Sequence, residues 1–422
     1  MSASMDTTAN NQILILGGGF TGLFAALHLS SLDCPLPITL IDRETRFVFK
    51  PLLYELLSNE TQVDVTWPRY EELLTHRGVA YVLGSIQAID LHNRQVQLDS
   101  GLSYGYRYLV VALGDTAGYF NVSGADEHTF TFRTAQDALE LGKHLRQNLQ
   151  KALQAEDSTE KDELLTTAIV GAGPSGVELS GTLADLLPHW YEKLGGDPED
   201  IRVVLIQRGE EILGKGVSDR IRETAEKALG NRRARIDILT QSSVKEVKPG
   251  SLVYLNDEQE HYLDAETIVW TAGSSTHPLV QSLPIADEHS DRRQRPHTTS
   301  TLQLIDFPNV FAGGDCAVNI EDPQPATAQV AYQQGKTIAY NIKALIDEEE
   351  LEPASVNLRG YLMKLGVEES VAEILGKVRI SGHAGHLIRH ATYLSLMPTP
   401  ARNMKLGAEW LADEVLDQVL NV

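Results

Sequence analysis

The chain has 422 residues, of which 42% are apolar and 22% charged, and its net charge at pH 7 is -22. The length exceeds one typical hydrophobic core and predicts a globular protein of two or three domains. The charge excludes nucleic acid as a partner, because a polyanion would be repelled, and it disfavours general adhesion to anionic lipid.

The cysteines predict a reducing compartment, and the rest of the chain predicts neither a targeting peptide nor a membrane-spanning helix. Residues 1–11 contain neither an apolar stretch nor an arginine, so we expect a disordered lead-in and no signal or transit peptide. No run of about eighteen apolar residues occurs, so no helix is expected to span a bilayer. The only cysteines, Cys34 and Cys316, are far apart and offer no C-x-x-C redox pair.

A dinucleotide-binding fingerprint lies near the start of the chain. The apolar strand Gln12–Leu16 leads into G-x-G-x-x-G at Gly17, Gly19 and Gly22, and a helix is expected from Gly22 to Ser31. The first glycine permits a tight turn, the second lets backbone approach a pyrophosphate, and the third allows close packing of helix and strand. The helix N-terminus then offers N–H groups to the phosphates.

The next strand, residues 38–41, ends at Asp42. A carboxylate at this spacing can accept hydrogen bonds from a ribose diol, and the alternative is a solvated aspartate at a strand end. Further strands are predicted at residues 79–83, 86–90, 95–98 and 108–113.

The middle of the chain repeats the pattern. Thr134 is predicted to cap a long helix over residues 135–155, and residues 155–163 are predicted to be an exposed polar connector. A second G-x-G-x-x-G follows a strand that begins at Thr167. Further strands are predicted at 202–206 and 267–270. Two such fingerprints suggest two bound dinucleotides, which is the arrangement that passes a hydride from one to the other.

The chain resembles the two-dinucleotide-binding-domain flavoproteins and, within them, the type II NAD(P)H:quinone oxidoreductases. Four blocks carry the resemblance: the first fingerprint with Asp42, FVFKPLLYE at 47–55, GGD at 313–315 and AQVAYQQG at 328–335. The last block discriminates best, because related disulfide and ferredoxin reductases lack it. GYLMKLG at 360–366 is similar to the cyanobacterial and plastid branch, whose members reduce prenylated naphthoquinones.

The resemblance implies an α/β fold of the FAD/NAD(P) disulfide-reductase superfamily, with two dinucleotide-binding (Rossmann-like) domains. We expect an FAD-binding domain at 1–115 with 276–345 and an NAD(P)H-binding domain at 116–275. A C-terminal segment at 346–422 is expected to associate with a membrane or with a second copy.

The resemblance and the fingerprints together predict the binding residues. For FAD these are Gly17, Gly19, Phe20, Thr21, Gly22, Asp42, Arg43, Lys50, Leu53, Tyr54, Ala112, Gly114, Gly314, Asp315, Ala328 and Gln329. For NAD(P)H they are Gly171, Gly173, Pro174, Ser175, Gly176, Glu178, Gln207, Arg208, Ala272 and Gly273.

Three residues are predicted to act in the reaction. Gln329 and Gln333 lie four apart, hence on one helical face, and can present amides to a quinone; otherwise they are solvated glutamines. Glu178 is placed by the resemblance beside the nicotinamide–flavin stack, although a first-turn glutamate is also favoured by the helix dipole.

Asp315 is expected to contact the ribityl chain or phosphate, or else to cap a helix. Lys50 is either a counter-charge to reduced flavin or a surface lysine.

The nicotinamide preference follows from the end of the second strand of the second unit. NADH-specific sites place Asp or Glu there, whereas this chain has Gln207 followed by Arg208. The neutral amide removes repulsion of a 2′-phosphate and the guanidinium can pair with it. We therefore expect use of NADPH, alone or alongside NADH; the alternative is that Gln207 binds the ribose of NADH and Arg208 faces solvent.

The C-terminal segment departs from the acidic character of the chain. Residues 376–408 contain five Lys or Arg and no acidic residue, interleaved with apolar and aromatic residues. This pattern suits a membrane interface, with charges at the headgroups, or alternatively a dimer interface. His383, His386 and His390 have helical spacing, and we favour interfacial histidines over a metal site.

The function predicted is that of a peripheral flavoenzyme on the cytoplasmic side of a plasma or thylakoid membrane. It oxidises NAD(P)H and reduces a lipid quinone, a prenylated naphthoquinone or plastoquinone, without proton pumping. The lack of a cysteine pair near the first fingerprint disfavours a disulfide relay and sulfide oxidation. The alternatives are a soluble reductase of a small redox protein and a flavin-containing redox sensor.

Overall fold

The computed structural model describes residues 10–58, 66–214, 217–358, 360–374, 378–398, 404 and 407–408. Its strands are β1 Ile13–Leu16, β2 Ile38–Asp42, β3 Val79–Leu83, β4 Ile86–Asp90, β5 Gln95–Leu98, β6 Ser103–Gly105, β7 Tyr108–Val111, β8 Asp115–Ala117, β9 Phe130–Thr131, β10 Thr166–Val170, β11 Arg202–Ile206, β12 Arg235–Leu239, β13 Ser242–Lys248, β14 Ser251–Asn256, β15 Gln259–Asp264, β16 Thr267–Trp270, β17 Ser274–Thr276, β18 His297–Thr298, β19 Gln303–Leu304, β20 Phe307–Ala312, β21 Val318–Asn319, β22 Gly360–Gly366, β23 Glu369–Ile374 and β24 Val378–Gly382.

The α-helices are α1 Phe20–Ser31, α2 Leu53–Ser58, α3 Tyr70–Leu74, α4 Ala125–His128, α5 Ala135–Ala152, α6 Ser158–Leu165, α7 Pro174–Lys193, α8 Asp219–Leu229, α9 Pro278–Gln281, α10 Ala328–Asp347 and α11 His383–Leu396. Short 3-10 turns lie at Lys50–Leu52, Pro198–Asp200, Asp287–His289 and Gly314–Cys316.

Two largely parallel sheets form the framework. The first has the order β21-β18-β19-β20-β7-β1-β2-β3 and the second the order β12-β11-β10-β16-β9. β1 lies parallel between β2 and β7, and β10 lies parallel between β11 and β16. Both central strands are buried along their whole length, as expected for strands covered on both faces. Each fingerprint turn therefore begins at the carboxyl end of a central strand, where open α/β sheets bind ligands.

The chain passes between the two sheets at two adjacent points. β8 leaves the first sheet and β17 returns to it, and the two strands pair antiparallel through Thr276↔Asp115. The strands of each large sheet fall within the ranges expected for the two domains, 1–115 with 276–345 and 116–275.

Side-chain caps determine where the helices between the two fingerprint units begin. Thr134 caps α5 as predicted, in a reciprocal capping box with Asp137, and the helix ends three residues earlier than predicted, at Ala152. Residues 155–163 are exposed or half-buried as predicted, but residues 158–163 belong to helix α6 and are not part of an irregular connector. The carboxylate of Asp157 accepts the N–H of Thr159 at 2.7 Å, and buried Leu164 and Leu165 hold the end of this helix.

The C-terminal part of the described chain packs against the rest of the molecule. β22, β23 and β24 form an antiparallel sheet whose β22 residues Met363, Lys364 and Leu365 are fully buried. A Cβ at Gly181 of α7 would lie 2.2 Å from Leu365 O, so this sheet approaches α7 very closely. In the described ranges no helix is both long and apolar enough to cross a membrane.

Candidate functional site

The glycines of the first fingerprint divide into packed and open positions. A Cβ at Gly17, whose φ is 93°, would lie 2.4 Å from Ala112 O, and a Cβ at Gly22 would lie 1.9 Å from Gly17 O. A Cβ at Gly19, in contrast, would meet nothing within 4 Å. Gly19 also starts α1 without a side-chain cap, so the first N–H groups of the helix face open space. This arrangement matches the three predicted glycine roles and leaves room for a pyrophosphate.

The second fingerprint repeats this geometry. Gly171, with φ of 106°, would place a Cβ 2.6 Å from Ala272, and Gly176 would place one 1.9 Å from Gly171 O. Gly173 is open and starts α7 without a side-chain cap, and Pro174 occupies the first turn. Both turns therefore present an uncapped helix N-terminus to a ligand.

A cavity of about 560 Å³ lies at the carboxyl end of the first sheet. Its size is that of a cofactor site. Of the predicted residues it is lined by Gly17, Gly19, Phe20, Thr21, Asp42, Arg43, Lys50, Tyr54, Ala112, Gly114, Ser175, Glu178, Gly314, Asp315 and Ala328. Gly22 and Leu53 are buried beside it as packing residues.

Asp42 holds the turn of the first fingerprint. Its carboxylate accepts the N–H of Gly18 and, at 2.8 Å, the N–H of Glu44. Burial raises the pKa of Asp42, and these two hydrogen bonds oppose the rise. Each Asp42 oxygen accepts one of these bonds and has a second lone pair, so the predicted ribose contact is compatible with this geometry.

Asp315 is positioned by a glutamine that the sequence reasoning did not select. Gln334 of α10 accepts the N–H of Gly314 through Oε1 at 2.7 Å and is buried. Burial raises the pKa of the Asp315 carboxyl, and the nearby Lys50 ammonium lowers it. Asp315 lies in a short 3-10 turn, whereas α10 is capped by Thr327, so the alternative of a cap for the following long helix is wrong.

Glu178 joins the second unit to the cavity. Its Oε1 accepts the N–H of Lys364 at 2.8 Å, and the nearby Tyr54 hydroxyl donates to Ser175 O at 3.4 Å. Burial raises the pKa of Glu178, an effect that the positive charge of Arg389 opposes. Glu178 therefore lies beside Tyr54 of the block at 47–55 and is bonded to the C-terminal sheet.

A buried ion cluster supports this wall of the cavity. The side chains of Glu55, Lys364 and Arg389 are fully buried, and Glu55 Oε1 accepts both Lys364 Nζ, at 3.3 Å, and Arg389 Nη1. Arg389 Nη2 also donates to Pro51 O at 2.6 Å. Burial opposes ionisation of Glu55, but the two cations outweigh it and hold the pKa of Glu55 below its usual value.

This cluster corrects the expectation for part of the C-terminal segment. We expected the charge of Arg389 at lipid headgroups and Tyr393 in the interface, but both residues are buried in the protein. The reason is that Glu55, which is 334 positions earlier, supplies the counter-charge that makes burial of Arg389 tolerable. Leu362 and Tyr393 line the cavity instead. Lys377, Arg402 and Lys405 lie outside the described residues.

Gln329 and Gln333 share a face of α10 but do not line the cavity. Gln329 Nε2 donates to Gly360 O at 3.1 Å. Gln333 accepts the N–H of Asn357 at 2.9 Å and donates to Asn357 O at 3.2 Å. Both amides therefore hold the segment that leads from α10 to β22, and any contact with a quinone would compete with these bonds.

His383, His386 and His390 all lie on α11. Within the described residues no group of His, Cys, Asp or Glu has the arrangement of a metal centre. His386 and His390 are buried against the rest of the chain, with ring centroids 3.9 Å apart.

The end of β11 carries Gln207 and Arg208, which the sequence predicts to contact NAD(P)H. Gln207 folds back on the second fingerprint, because its Oε1 accepts the N–H of Ala172 at 3.3 Å and its Nε2 donates to Glu211 O at 3.2 Å. Arg208 is exposed, and its guanidinium carbon lies 5.6 Å from the ring centroid of Phe120.

Several site residues had no usable signal in the sequence. These are Glu55, Phe120, Gln334, Leu362, Lys364, Arg389 and Tyr393. Glu55, Gln334, Leu362 and Lys364 stand inside the quoted motifs, at positions that carried no assigned role. Phe120, Arg389 and Tyr393 lie outside those motifs, and only their contacts identify them.

Comparisons with known proteins agree with this architecture. Residues 11–335 match the family model described as pyridine nucleotide-disulphide oxidoreductase. The chain is 34% identical to demethylphylloquinone reductase NdbB of Synechocystis sp., over 98% of this chain and 99% of that protein. It is 29% identical to the alternative NAD(P)H-ubiquinone oxidoreductase C1, chloroplastic/mitochondrial, of Arabidopsis thaliana, over 97% and 82%.

A solved structure shares the fold. NDH2 from Plasmodium falciparum in complex with NADH superposes with a TM-score of 0.85 at 19% identity, covering 96% of this chain and 98% of that chain.

Proposed function

This chain belongs to the pyridine nucleotide-disulphide oxidoreductase family and, within it, to the type II NAD(P)H:quinone oxidoreductases, and from that premise we propose that it transfers two electrons from NAD(P)H through FAD to a lipid quinone. NAD(P)H, one proton and the quinone give NAD(P)⁺ and the quinol, with no ion pumped. The reductase of Synechocystis sp. named above acts on demethylphylloquinone. A prenylated naphthoquinone is therefore the proposed substrate, with plastoquinone as the second choice.

The observation that carries the proposal is the composition of the cavity wall. The first fingerprint unit supplies most of it, the second unit adds Ser175 and Glu178, and the C-terminal segment adds Leu362 and Tyr393. A hydride donor held by the second unit would meet a cofactor in this cavity at the Ser175–Glu178 edge. Proximity of this kind is the main contribution that a protein makes to cofactor chemistry.

The residues of the cavity fit FAD. The open Gly19 turn and the uncapped start of α1 suit a pyrophosphate, and Asp42 stands at the end of β2, where a ribose would lie. At Gly18, in contrast, the Tyr70 side chain leaves no room for a side chain, because a Cβ there would lie 2.3 Å from the Tyr70 hydroxyl. Asp315 and Lys50 lie along the remaining wall and would hold the ribityl chain and the ring system.

A bound flavin supplies hydride acceptance and the delivery of two electrons to a quinone. The chain supplies orientation and charge. Lys50 provides a positive charge beside the cavity, and Glu178, held by the Lys364 N–H, keeps a carboxyl at the edge shared with the second unit. The raised pKa of Glu178 makes it a group that can hold a proton nearer to neutral pH.

The quinone is proposed to approach from the side of the C-terminal segment. Pro51, Ala328, Leu362 and Tyr393 line this side of the cavity, and they offer apolar and aromatic surface to a flat ring with a prenyl tail. Val378 and Leu387, on the neighbouring sheet and helix, are exposed apolar residues. We propose that this surface lies on a membrane that holds the quinone, on its cytoplasmic side.

NADPH, alone or alongside NADH, is the proposed electron donor. The end of β11 carries no carboxylate at Gln207, and Arg208 is exposed there. Replacing Gln207 with Glu should weaken NADPH binding and shift preference towards NADH, because the carboxylate would repel a 2′-phosphate.

Stopped-flow measurement of the two half-reactions tests the function. We expect purified protein to carry FAD, the flavin to be bleached by NADPH or NADH, and the colour to return on addition of a naphthoquinone. Protein that neither carries nor accepts FAD would refute the proposal. Flavin that is reduced but supports negligible steady-state quinone reduction would instead identify a redox sensor.

A further inference from the structure

The turn at residues 119–122 holds an exposed aromatic ring in a backbone conformation that bulky residues avoid. Phe120 and Asn121 have left-handed φ angles of 52° and 57°, and Val122 N donates to Tyr119 O at 3.0 Å. These are the φ signs and the hydrogen bond of a type I′ turn, whose central residues are ordinarily Asn or Gly. A phenylalanine with positive φ is an outlier that persists only where the surrounding structure determines it.

The surrounding structure is the carboxyl end of β16. The indole of Trp270 donates to Gly118 O at 3.1 Å, and the Tyr119 ring packs on Trp270 with centroids 5.8 Å apart. The Phe120 ring covers Gly273, because a Cβ at Gly273 would lie 2.4 Å from the Phe120 Cζ atom. The ring therefore has a defined position, although 60% of the residue surface is exposed.

The Phe120 ring also faces the end of β11. The guanidinium carbon of Arg208 lies 5.6 Å from the ring centroid, and within the described residues Arg208 forms no salt bridge. β11 and β16 are the two neighbours of β10 in the sheet. The two side chains thus approach each other from either side of the second glycine turn, which begins at Gly171.

We propose that Phe120 and Arg208 bracket the adenine ring of the nicotinamide dinucleotide, an inference that rests on the proposed use of NAD(P)H. In a dinucleotide-binding unit the pyrophosphate lies on the glycine turn and the adenosine half extends towards the end of the next strand, here β11. Aromatic rings and guanidinium groups are the two side-chain types on which bases stack.

The present separation is close to that of such a site. A base between two stacking partners needs about 6.8 Å, twice the spacing of about 3.4 Å between successive nucleotides of a stacked strand. Arg208 would have to move by roughly 1 Å to admit the ring, and no ion pair holds it within the described part of the chain. The same guanidinium supplies the positive charge that a 2′-phosphate requires.

Calorimetric titration of the FAD-loaded holoenzyme with ADP tests the site, because ADP carries the adenine but cannot donate a hydride. Phe120→Asn should weaken ADP binding by about 5- to 100-fold, since asparagine keeps the left-handed turn but lacks the ring. Phe120→Trp should retain the affinity. Tyr262→Ala removes an exposed aromatic ring from β15 and is the matched control, with ADP affinity unchanged. Arg208→Leu should weaken binding of 2′,5′-ADP more than binding of ADP.

Two results would overturn the adenine site. One is an ADP affinity of Phe120→Asn equal to that of the parent, and the other is absence of ADP binding by the parent. Either result leaves the proposed function standing if NAD(P)H still reduces the flavin. A holoenzyme that neither NADH nor NADPH reduces would refute the proposed function itself.

Discussion

Arg389 illustrates how the role of a residue depends on a partner remote in sequence. Its guanidinium is fully buried between Glu55 and Pro51 O, and its charge is compensated by the Glu55 carboxylate. Burial disfavours the charged form of Arg389, but the Glu55 carboxylate outweighs this and raises the pKa of Arg389. The same pairing holds the block at 47–55 against α11, so the C-terminal segment shapes the cavity that it covers.

Removal of Arg389 should destabilise the protein strongly. Arg389→Met leaves the Glu55 carboxylate with only Lys364 as a counter-charge, and we expect a loss of about 3–5 kcal/mol in the free energy of unfolding. Urea denaturation measures this loss. Arg233→Met, which removes an exposed arginine paired with Glu192, is the matched control and should cost at most about 1 kcal/mol. Strict additivity of Arg389→Met and Glu55→Gln would contradict the pairing, because residues in contact show coupling energies of about 0.5–3 kcal/mol.

The two glutamines of α10 lead to a kinetic prediction. Gln329→Ala with Gln333→Ala should slow reoxidation of the flavin by quinone and leave its reduction by NAD(P)H nearly unchanged. Both amides hold the segment that leads to β22 and to Leu362 on the quinone side of the cavity. Each lost hydrogen bond is worth about 0.5–1.5 kcal/mol, so displacement of this segment should cost a few-fold to about tenfold in rate. Stopped-flow spectroscopy separates the two steps. Exposed Gln136→Ala on α5 is the control, and equal slowing of both steps would contradict a specific effect of this segment on the quinone side.

At the scale of elements, α11 combines a buried face with an exposed one. Gly385, His386, Arg389, His390 and Tyr393 face the protein, whereas Leu387 is exposed. Burial lowers the pKa of His386 to about 4, and the positive charges of Lys364 and Arg389 add to this effect. Burial and the neighbouring His386 lower the pKa of His390 to about 3. The Glu55 carboxylate opposes both shifts, and His383 reinforces that of His386.

These pKa values predict a dependence of stability on pH. Both histidines have a folded pKa below their unfolded value of about 6.5, so the unfolded chain binds more protons as the pH falls. The stabilisation is therefore complete above pH 6.5 and decreases towards pH 4, by up to about 1.4 kcal/mol per pH unit for each histidine. The free energy of unfolding between pH 8 and 5 measures this slope. His386→Gln with His390→Gln should flatten it, whereas exposed His261→Gln should not. An unchanged slope in the double variant would show that these histidines do not remain neutral when folded.

At the scale of the whole molecule, the C-terminal sheet and α11 close one side of the cavity and carry an exposed apolar surface. This surface includes Val378, which is 54% exposed, and Leu387, which is 47% exposed. Deletion of residues 376–422 would remove Arg389 and Tyr393 from the core together with this surface. Truncation therefore cannot separate membrane attachment from folding, and surface substitutions are the appropriate test.

We expect Val378→Asp with Leu387→Asp to weaken binding to vesicles that contain anionic phosphatidylglycerol. Burying one such side chain in lipid is worth about 1.5–3 kcal/mol, so binding should decrease at least tenfold. Co-sedimentation measures binding, and FAD content together with reduction of a water-soluble quinone shows that the site is intact. Leu102→Asp, on an exposed position of the first unit, is the control. Unchanged sedimentation would refute the attachment surface, and a change in oligomeric state would indicate a second copy as the partner.

The sequence by itself determined the features that depend on neighbours along the chain. The glycine turns at Gly17 and Gly171, the carboxylate of Asp42 at the end of a strand and the Thr134 cap each involve contacts within one βαβ unit or one helical turn. The required residue types therefore recur at fixed spacings and could be identified. The resemblance added Lys50, Tyr54 and Asp315, all of which line the cavity.

Only the tertiary structure decided which charged and aromatic side chains meet across the molecule. Glu55 pairs with Lys364 and Arg389 over separations of 309 and 334 positions, and Phe120 meets Arg208 across a sheet. No spacing rule records such pairs, because the chain that separates them is of arbitrary length. The basic character of the C-terminal segment therefore indicated lipid headgroups for Arg389. The folded chain instead places a carboxylate beside it, since a buried charge is stable only where a counter-charge compensates its lost hydration.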